Sequence, residues 1–113
     1  MESDLTQALS GLNALAQEIR LKTFRMLMSA GENGLAAGKI SGTLGIAPNK
    51  LSAHLNILTQ SGLVNVRRNG RHMIYSANVA AVSGLLTQLV ETCCNGHPEV
   101  CGSLADLPDI KCN

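Results

Sequence analysis

The sequence predicts a mainly α fold class with a small β-hairpin, in an α+β arrangement. Apolar residues recur at spacings of three and four over most of the chain, which is the period of helices that bury one face. After Gly62 the period changes to two, in two short runs separated by Asn69-Gly70. That change indicates a hairpin. At 113 residues the chain supports one such domain.

The N-terminal part of the chain predicts two helices, with a break near Asn13. The first carries an apolar stripe at helical spacing, made of Leu5, Ala8, Leu9, Leu12, Ala16 and Ile19. The second runs to about Ala30, where Gly31 and Gly34 stop it. Both are expected to bury one face in the core.

The middle of the chain predicts a helix, a turn and a second helix. Residues 35–44 form the first of these, which ends at Gly45. The second begins at Pro48, whose fixed φ and missing N–H suit a first helical position, and runs to about Gln60.

The two β-runs cover residues 63–68 and 71–75. Asn69-Gly70 between them predicts a type I′ turn, which needs positive φ at both positions. The hairpin would extend from the domain as a wing, so the order is that of a winged helix-turn-helix. Asn78 is expected to cap a last helix, whose apolar stripe is Val82, Leu85, Leu86, Leu89, Val90 and Cys93.

Bulk composition bounds the class of protein. Only Phe24 and Tyr75 are aromatic, and a small aliphatic core gains stability from subunit association, so we expect an oligomer. No apolar run approaches the roughly 20 residues of a membrane helix, and residues 1–10 lack the order of a signal peptide. We therefore expect a cytoplasmic protein with no membrane partner, whose four cysteines serve metal or redox chemistry rather than disulfides.

The charge pattern indicates a nucleic-acid partner. The formal net charge is +1, but no acidic residue lies between Glu32 and Glu91, where the basic residues are Lys39, Lys50, Arg67, Arg68 and Arg71. Screening confines exposed charges to a Debye length of about 8 Å, so a phosphate backbone responds to this local patch rather than to the total.

Two groups of side chains are predicted to contact DNA. Residues near the start of the helix at Pro48 would read base edges in the major groove, namely Asn49, Lys50, Ser52, Ala53, His54 and Asn56. Residues around the hairpin turn would meet phosphates or enter the minor groove, namely Arg67, Arg68 and Arg71. The alternative is a helix-turn-helix that never touches DNA, with arginines that only protect a solvated strand edge. The acid-free stretch favours DNA binding.

A cysteine cluster follows the last predicted helix. Adjacent Cys93 and Cys94, with Cys101 after a Gly and Pro turn, can bring three thiolates to one soft ion. One alternative adds His97 to make a structural Cys₃His zinc site, and another leaves the cysteines inert or redox-active. Cys112 is interpreted as a bystander. No catalytic residue is predicted, because the segment offers no phosphate-binding loop to support a thiol enzyme.

Several segments together resemble the ArsR family of metal-responsive winged-helix repressors. They are LAQEIRL at 15–21, LGIAPNKLSAHL at 44–55, GLV at 62–64, RRNGR at 67–71 and YS at 75–76. The resemblance covers about residues 5–94. It implies a homodimer joined through its first and last helices, which binds a palindromic operator when empty and dissociates when a metal ion binds. Residues 1–94 would then be the DNA-binding and dimerisation domain, and 95–113 a tail that contributes to the metal site.

The resemblance also suggests an inducer. Ala36 and Gly38 stand where better-known arsenic sensors carry a Cys-x-Cys pair, and residues 78–91 lack the Asp and His ligands of zinc sensors. The adjacent cysteines resemble instead an arsenite-responsive subgroup with a C-terminal three-thiolate site. On that resemblance Cys93, Cys94 and Cys101 bind As(III), with Sb(III) as a second inducer, and the repressor controls arsenic resistance genes without an organic cofactor. The alternatives remain another soft metal, thiol oxidation or structural zinc.

Overall fold

The computed structural model describes the backbone of residues 2–90 and the side chains of residues 5–90. Its elements, in chain order, are α1 (Glu2–Leu15), α2 (Glu18–Ala30), a 3₁₀ turn (Gly31–Asn33), β1 (Leu35–Ala36), α3 (Ala37–Leu44), α4 (Pro48–Gln60), β2 (Val64–Asn69), β3 (His72–Ala77) and α5 (Val79–Val90). The predicted class, mainly helical with a small β-hairpin, is confirmed. Within residues 2–90, no helix is long and apolar enough to cross a membrane.

The two N-terminal helices are separated at Ala16 and Gln17 rather than near Asn13. The break falls there because Gln17 has extended backbone angles and its side-chain Oε1 accepts a hydrogen bond from the Arg20 N–H at 2.9 Å. That bond satisfies one of the free N–H groups at the start of α2. α2 ends at Ala30, as predicted.

The prediction of one helix over residues 35–44 is wrong at its start. Leu35 and Ala36 form the short strand β1, which pairs antiparallel with Tyr75 and Ile74 of β3. The helix α3 begins only at Ala37, because Ala36 has extended backbone angles of φ −72° and ψ 149°. The sheet therefore has three strands in the order β1-β3-β2 rather than two.

The hairpin is confirmed, but its turn type is not the predicted one. The register runs from Val64 opposite Ala77 to Asn69 opposite His72, which leaves Gly70 and Arg71 as the two-residue loop. Gly70 has φ +63°, and no non-glycine residue among residues 2–90 has positive φ. Glycine at the first central position, followed by a residue with negative φ, is the pattern of a type II′ turn. Asn69 remains in the strand because glycine tolerates positive φ at lower cost.

The core lies where α2, α3 and α4 meet under the sheet. Its fully buried large side chains include Leu27, Ile40, Leu51, Leu55 and Leu58. Leu35 and Tyr75 of the sheet and Ala81 and Val82 of α5 pack against this cluster from outside. α1 packs along α5.

Asn78 joins the start of α5 to the end of α4, as the predicted cap. Its side-chain Oδ1 accepts a hydrogen bond from the Ala81 N–H at 3.2 Å, and its Nδ2 donates to the Gly62 carbonyl at 3.1 Å. Its backbone N–H donates to the Leu63 carbonyl at 2.8 Å. The orientation of α5 is therefore fixed relative to the hairpin.

Candidate nucleic-acid interface

The helix α4 has the predicted bounds, Pro48–Gln60. Leu51, Leu55 and Leu58 recur at spacings of four and three and are buried, which fixes the opposite side of the helix toward solvent. Five of the six predicted base-reading residues lie on that exposed side, namely Asn49, Lys50, Ser52, Ala53 and Asn56. The first turn of α4 contains no acidic residue, so nothing there opposes an anion.

Asn49 has one polar atom already engaged. Its Oδ1 accepts a hydrogen bond from the Lys50 N–H at 3.0 Å, which satisfies a free donor at the start of α4. The amide Nδ2 makes no hydrogen bond with a side chain or backbone group of residues 5–90. Asn49 therefore presents mainly a donor to a partner.

His54, the sixth predicted base-reading residue, is half-buried and contacts α2. Its Nδ1 lies 3.4 Å from a terminal nitrogen of the Arg20 guanidinium. Burial, the charge of Arg20 and the charge of Lys50 all lower the pKa of His54 below its ordinary value. The imidazole is therefore neutral at pH 7, with Nδ1 accepting from Arg20 and only Nε2 left for another partner.

The three wing arginines differ in their surroundings. Arg68 lies on β2 opposite Met73, and Arg71 lies in the turn; both are exposed. Arg67 reaches back to the 3₁₀ turn, where its guanidinium donates to the carbonyls of Glu32 at 3.3 Å and Asn33 at 3.0 Å. Arg67 therefore fastens the wing to the body of the domain, which leaves Arg68 and Arg71 as the freer cations.

The exposed basic residues of α3, α4 and the wing have no carboxylate partner among the side chains of residues 5–90. Among the side chains of residues 5–90 the one ion pair joins Lys22 Nζ to Glu18 Oε1 at 3.6 Å, on α2. Within residues 5–90 the exposed Lys and Arg side chains of α3, α4 and the wing make none, and these are Lys39, Lys50, Arg67, Arg68 and Arg71, of which Arg67 is bound to two backbone carbonyls. Arrays of uncompensated Lys and Arg bind phosphates with release of condensed counterions. The arrangement can therefore hold a DNA backbone beside the exposed side of α4.

The contacts of Arg20 and Arg67 were not predicted from the sequence. Arg20 and His54 are 34 residues apart, and Arg67 and Asn33 are also 34 apart. A local period or turn motif does not connect residues at that separation. Both contacts are visible only after folding.

The predicted metal ligands Cys93, Cys94 and Cys101, together with His97 and Cys112, lie outside the described residues. In the part of the chain whose side chains the structure describes, residues 5–90, no three His, Cys, Asp or Glu side chains are grouped so that they could hold a metal ion.

Comparison with known proteins agrees with this geometry. A family model described as a helix-turn-helix domain matches residues 15–67. The transcriptional activator HlyU of Vibrio cholerae is 31% identical over 97 residues, covering 86% of this chain and 87% of HlyU. A solved structure of HlyU matches with a TM-score of 0.63 and 33% identity over 79% of this chain and 97% of that one.

Two further solved structures extend the comparison. A homodimeric winged helix-turn-helix DNA-binding domain from Mycobacterium bovis, described as a possible ArsR-family regulator, matches with a TM-score of 0.62 and 28% identity over 82% of this chain and 85% of that one. An ArsR-like regulator from Rhodococcus sp. RHA1 shares the fold, with a TM-score of 0.70 and 21% identity over 94% of this chain and 97% of that one. Since the match to HlyU spans most of both proteins and the fold is that of the ArsR-like structures, the chain belongs to the ArsR family of winged helix-turn-helix transcriptional regulators.

Proposed function

We propose that the chain is a homodimeric repressor that binds a two-fold operator and releases it when As(III) or Sb(III) binds Cys93, Cys94 and Cys101. One observation carries the DNA-binding part. It is the exposed side of α4 together with exposed basic residues of α3, α4 and the wing that have no carboxylate partner among residues 5–90, namely Lys39, Lys50, Arg68 and Arg71.

The docking geometry follows from that surface. The N-terminal half of α4 enters the major groove, where Lys50 donates to base acceptors and the Asn49 Nδ2 donates to a neighbouring base or phosphate. Arg68 and Arg71 lie on the wing and neutralise phosphates beside the groove. The helix therefore supplies sequence preference, and the wing supplies affinity.

Support for a dimer comes from apolar side chains on α1 and α5. Leu5 and Leu9 on α1 are 55% and 58% exposed, and Val79 and Leu89 on α5 are 61% and 55% exposed. α1 and α5 contact each other, so a second copy can cover both. The homodimer described for the M. bovis regulator supports the same assembly. A two-fold dimer places its recognition helices on half-sites about 34–36 Å apart, or a multiple of that.

The inducer is inferred from the donor set. Cys93 and Cys94 lie three and four residues after Val90, the point to which the structure describes α5, and Cys101 comes next among the cysteines. Thiolates select soft ions, and three of them satisfy As(III), which keeps a lone pair in place of a fourth ligand. Because α5 belongs to the proposed dimer interface, occupancy of this site changes dimer geometry. Release is then a coupling free energy of typically 1–3 kcal/mol for a graded response.

The test is operator binding by fluorescence anisotropy, with arsenite, antimonite, cadmium and zinc added in turn. Arsenite and antimonite are expected to weaken binding about 5- to 150-fold, which corresponds to that coupling. Serine at Cys93, Cys94 or Cys101 should leave operator binding intact and abolish the response to arsenite. Cys112→Ser and His97→Ala are the controls and should respond as the parent does. Loss of response in the His97 variant would favour the Cys₃His zinc site instead.

Thiol oxidation is the second candidate. It is favoured by a solved structure of HlyU described as the reduced protein, which is 30% identical to this chain over 80% of its length and 94% of that chain. In this alternative two thiols form a disulfide and pass two electrons and two protons to a peroxide, which is reduced to water. Operator release by hydrogen peroxide, reversed by dithiothreitol and without any response to arsenite, would replace the metal proposal.

The direction of regulation needs its own measurement, because HlyU is named an activator. Transcription in vitro from a promoter that overlaps the operator distinguishes the two directions. A repressor lowers transcript yield when the metal-free protein is added. An increase in yield would overturn repression while leaving operator binding intact.

A further inference from the structure

Arg20 makes two contacts that join three helices. It lies in the first turn of α2. Its Nε donates to the carbonyl of Ala14, at the end of α1, at 2.7 Å. A terminal nitrogen of its guanidinium lies 3.4 Å from Nδ1 of His54, which is on α4. One side chain therefore connects a proposed dimerisation helix to the proposed recognition helix.

The contact with Ala14 satisfies a group that the fold leaves free. The last four carbonyls of a helix have no partner within it, and Ala14 lies in the last turn of α1 with only 1% of its surface exposed. A buried carbonyl without a donor is unfavourable, so Arg20 is held at this end of α1 by a charged hydrogen bond.

The contact with His54 depends on the shape of guanidinium. Its planar group holds Nε and the terminal nitrogen in fixed relation, so one end cannot move without the other. His54 can accept only while its ring is neutral. The positive charges that act on it, Arg20 from α2 and Lys50 from α4 itself, both favour the neutral form.

We propose that Arg20 is a positioning residue that sets the orientation of α4 relative to α1 through the Ala14 carbonyl and the His54 ring. The proposal rests on the proposed operator binding by α4. In a dimer joined through α1 and α5, the spacing of the two recognition helices then follows from α1 through Arg20. Loss of the Arg20 contacts should therefore reduce discrimination between DNA sequences more than general DNA affinity, because contacts with base edges require a fixed position of α4 and contacts with phosphates do not.

A double-mutant cycle between Arg20 and His54 tests the contact. The variants are Arg20→Met, His54→Leu and the pair, and the matched control is Arg25→Met, which removes an exposed positive charge from the same helix. Binding to operator and to unrelated duplex is measured by fluorescence anisotropy. The free energy of unfolding in urea is measured on every variant, so that loss of folded protein is separated from loss of position.

Arg20→Met is expected to reduce the ratio of operator to unrelated-duplex affinity at least about fivefold, within the range of couplings measured between contacting residues. Arg25→Met should weaken binding to both duplexes by the same factor and leave the ratio of the two affinities unchanged. The pair should lose no more discrimination than the worse single variant. Losses that multiply in the pair would show that the two residues act independently and would overturn the proposal.

A second measurement needs no DNA. In the parent, nitrogen chemical shifts of the His54 ring should show a neutral ring protonated at Nε2, and Arg20→Met should raise the pKa of His54, because a neighbouring positive charge is removed. An unchanged titration overturns the contact. If the parent prefers an operator but the two substitutions reduce that preference additively, only the positioning role of Arg20 is overturned. If the His54 ring is in the expected state but the parent prefers no operator, the proposed function is overturned as well.

Discussion

Among the described glycines, Gly34 is the one at which an added Cβ would come nearest to another part of the chain. It has φ +70°, and a Cβ at this position would collide with the Tyr75 carbonyl oxygen and lie 2.9 Å from Cγ2 of Ile74. The close approach is what allows β1 to pair with β3. Gly34→Ala is therefore expected to lower the free energy of unfolding by about 2 kcal/mol or more, measured by urea denaturation.

Gly42→Ala is the matched control for that substitution. Gly42 lies within α3, with nothing within 4 Å of an added Cβ. Alanine should stabilise this helix by about 0.5–1 kcal/mol. Equal effects at both glycines would contradict the close packing of Gly34 against β3.

Thr23 carries a buried hydroxyl without a partner. The residue is 0% exposed, and Oγ1 makes no hydrogen bond with any of residues 5–90. Valine has nearly the same shape without the hydroxyl, so Thr23→Val should raise the free energy of unfolding by about 1 kcal/mol, as seen by an increased urea midpoint at constant slope. Thr43→Val, which removes an exposed hydroxyl that donates to the Lys39 carbonyl, should give no such increase. A lower midpoint for the Thr23 variant would reveal a partner for its hydroxyl.

The wing is an element in which two arginines of equal charge should behave differently. Arg71 is exposed in the turn, so Arg71→Ala should weaken binding to all duplexes and lower the salt slope of log K by about 0.9 for one lost phosphate contact. Arg67 is bound to the carbonyls of Glu32 and Asn33, so Arg67→Ala should loosen the hairpin. It should therefore increase amide hydrogen exchange in β2 with little change in the salt slope. Equal changes in slope would mean that Arg67 also contacts phosphate.

The elements that could be predicted from the sequence are those with a local signal. α4 has its predicted bounds, because Pro48 starts it and the leucine spacing marks its buried face. The strand β1 was not predicted, because two residues cannot show alternation and because Tyr75, the partner of Leu35, is 40 positions further along the chain. The predicted turn type was wrong, because the dipeptide Asn69-Gly70 is compatible with more than one hairpin register and the pairing of the two strands decides which register forms.

The candidate site likewise contains residues whose role follows from a local sequence pattern and residues whose role depends on long-range contacts. Exposure of Lys50 and its neighbours follows from helical periodicity, which the sequence contains. The contacts that His54 and Arg67 make with other parts of the protein join distant segments of the chain. Their sequence positions alone therefore gave them the same predicted role as Lys50 and Arg71. The cysteine site stays a prediction.

The whole molecule is expected to depend on its exposed leucines. Leu9→Lys should disrupt the proposed dimer, because each copy loses about 1.5–3 kcal/mol of leucine burial and a two-fold interface contains the residue twice. The dimer dissociation constant should rise about 10²- to 10⁴-fold, as measured by sedimentation equilibrium. Leu21→Lys is the control, since Leu21 is 42% exposed on α2 and should leave the dimer intact. A folded, monomeric parent that binds one half-site tightly would contradict the proposed assembly.

The exposed apolar side chains of α1 and α5 also determine how occupancy of the operator responds to the concentration of the protein. If only the dimer binds the operator, mass action makes dimer concentration vary as the square of chain concentration whenever the chain is below its dimer dissociation constant. Halving the chain concentration would then lower the dimer concentration roughly fourfold. The apolar surface on α1 and α5 would in that way turn a graded change in synthesis into a steeper change in transcription. The strength of leucine packing sets the protein level at which that steepness begins.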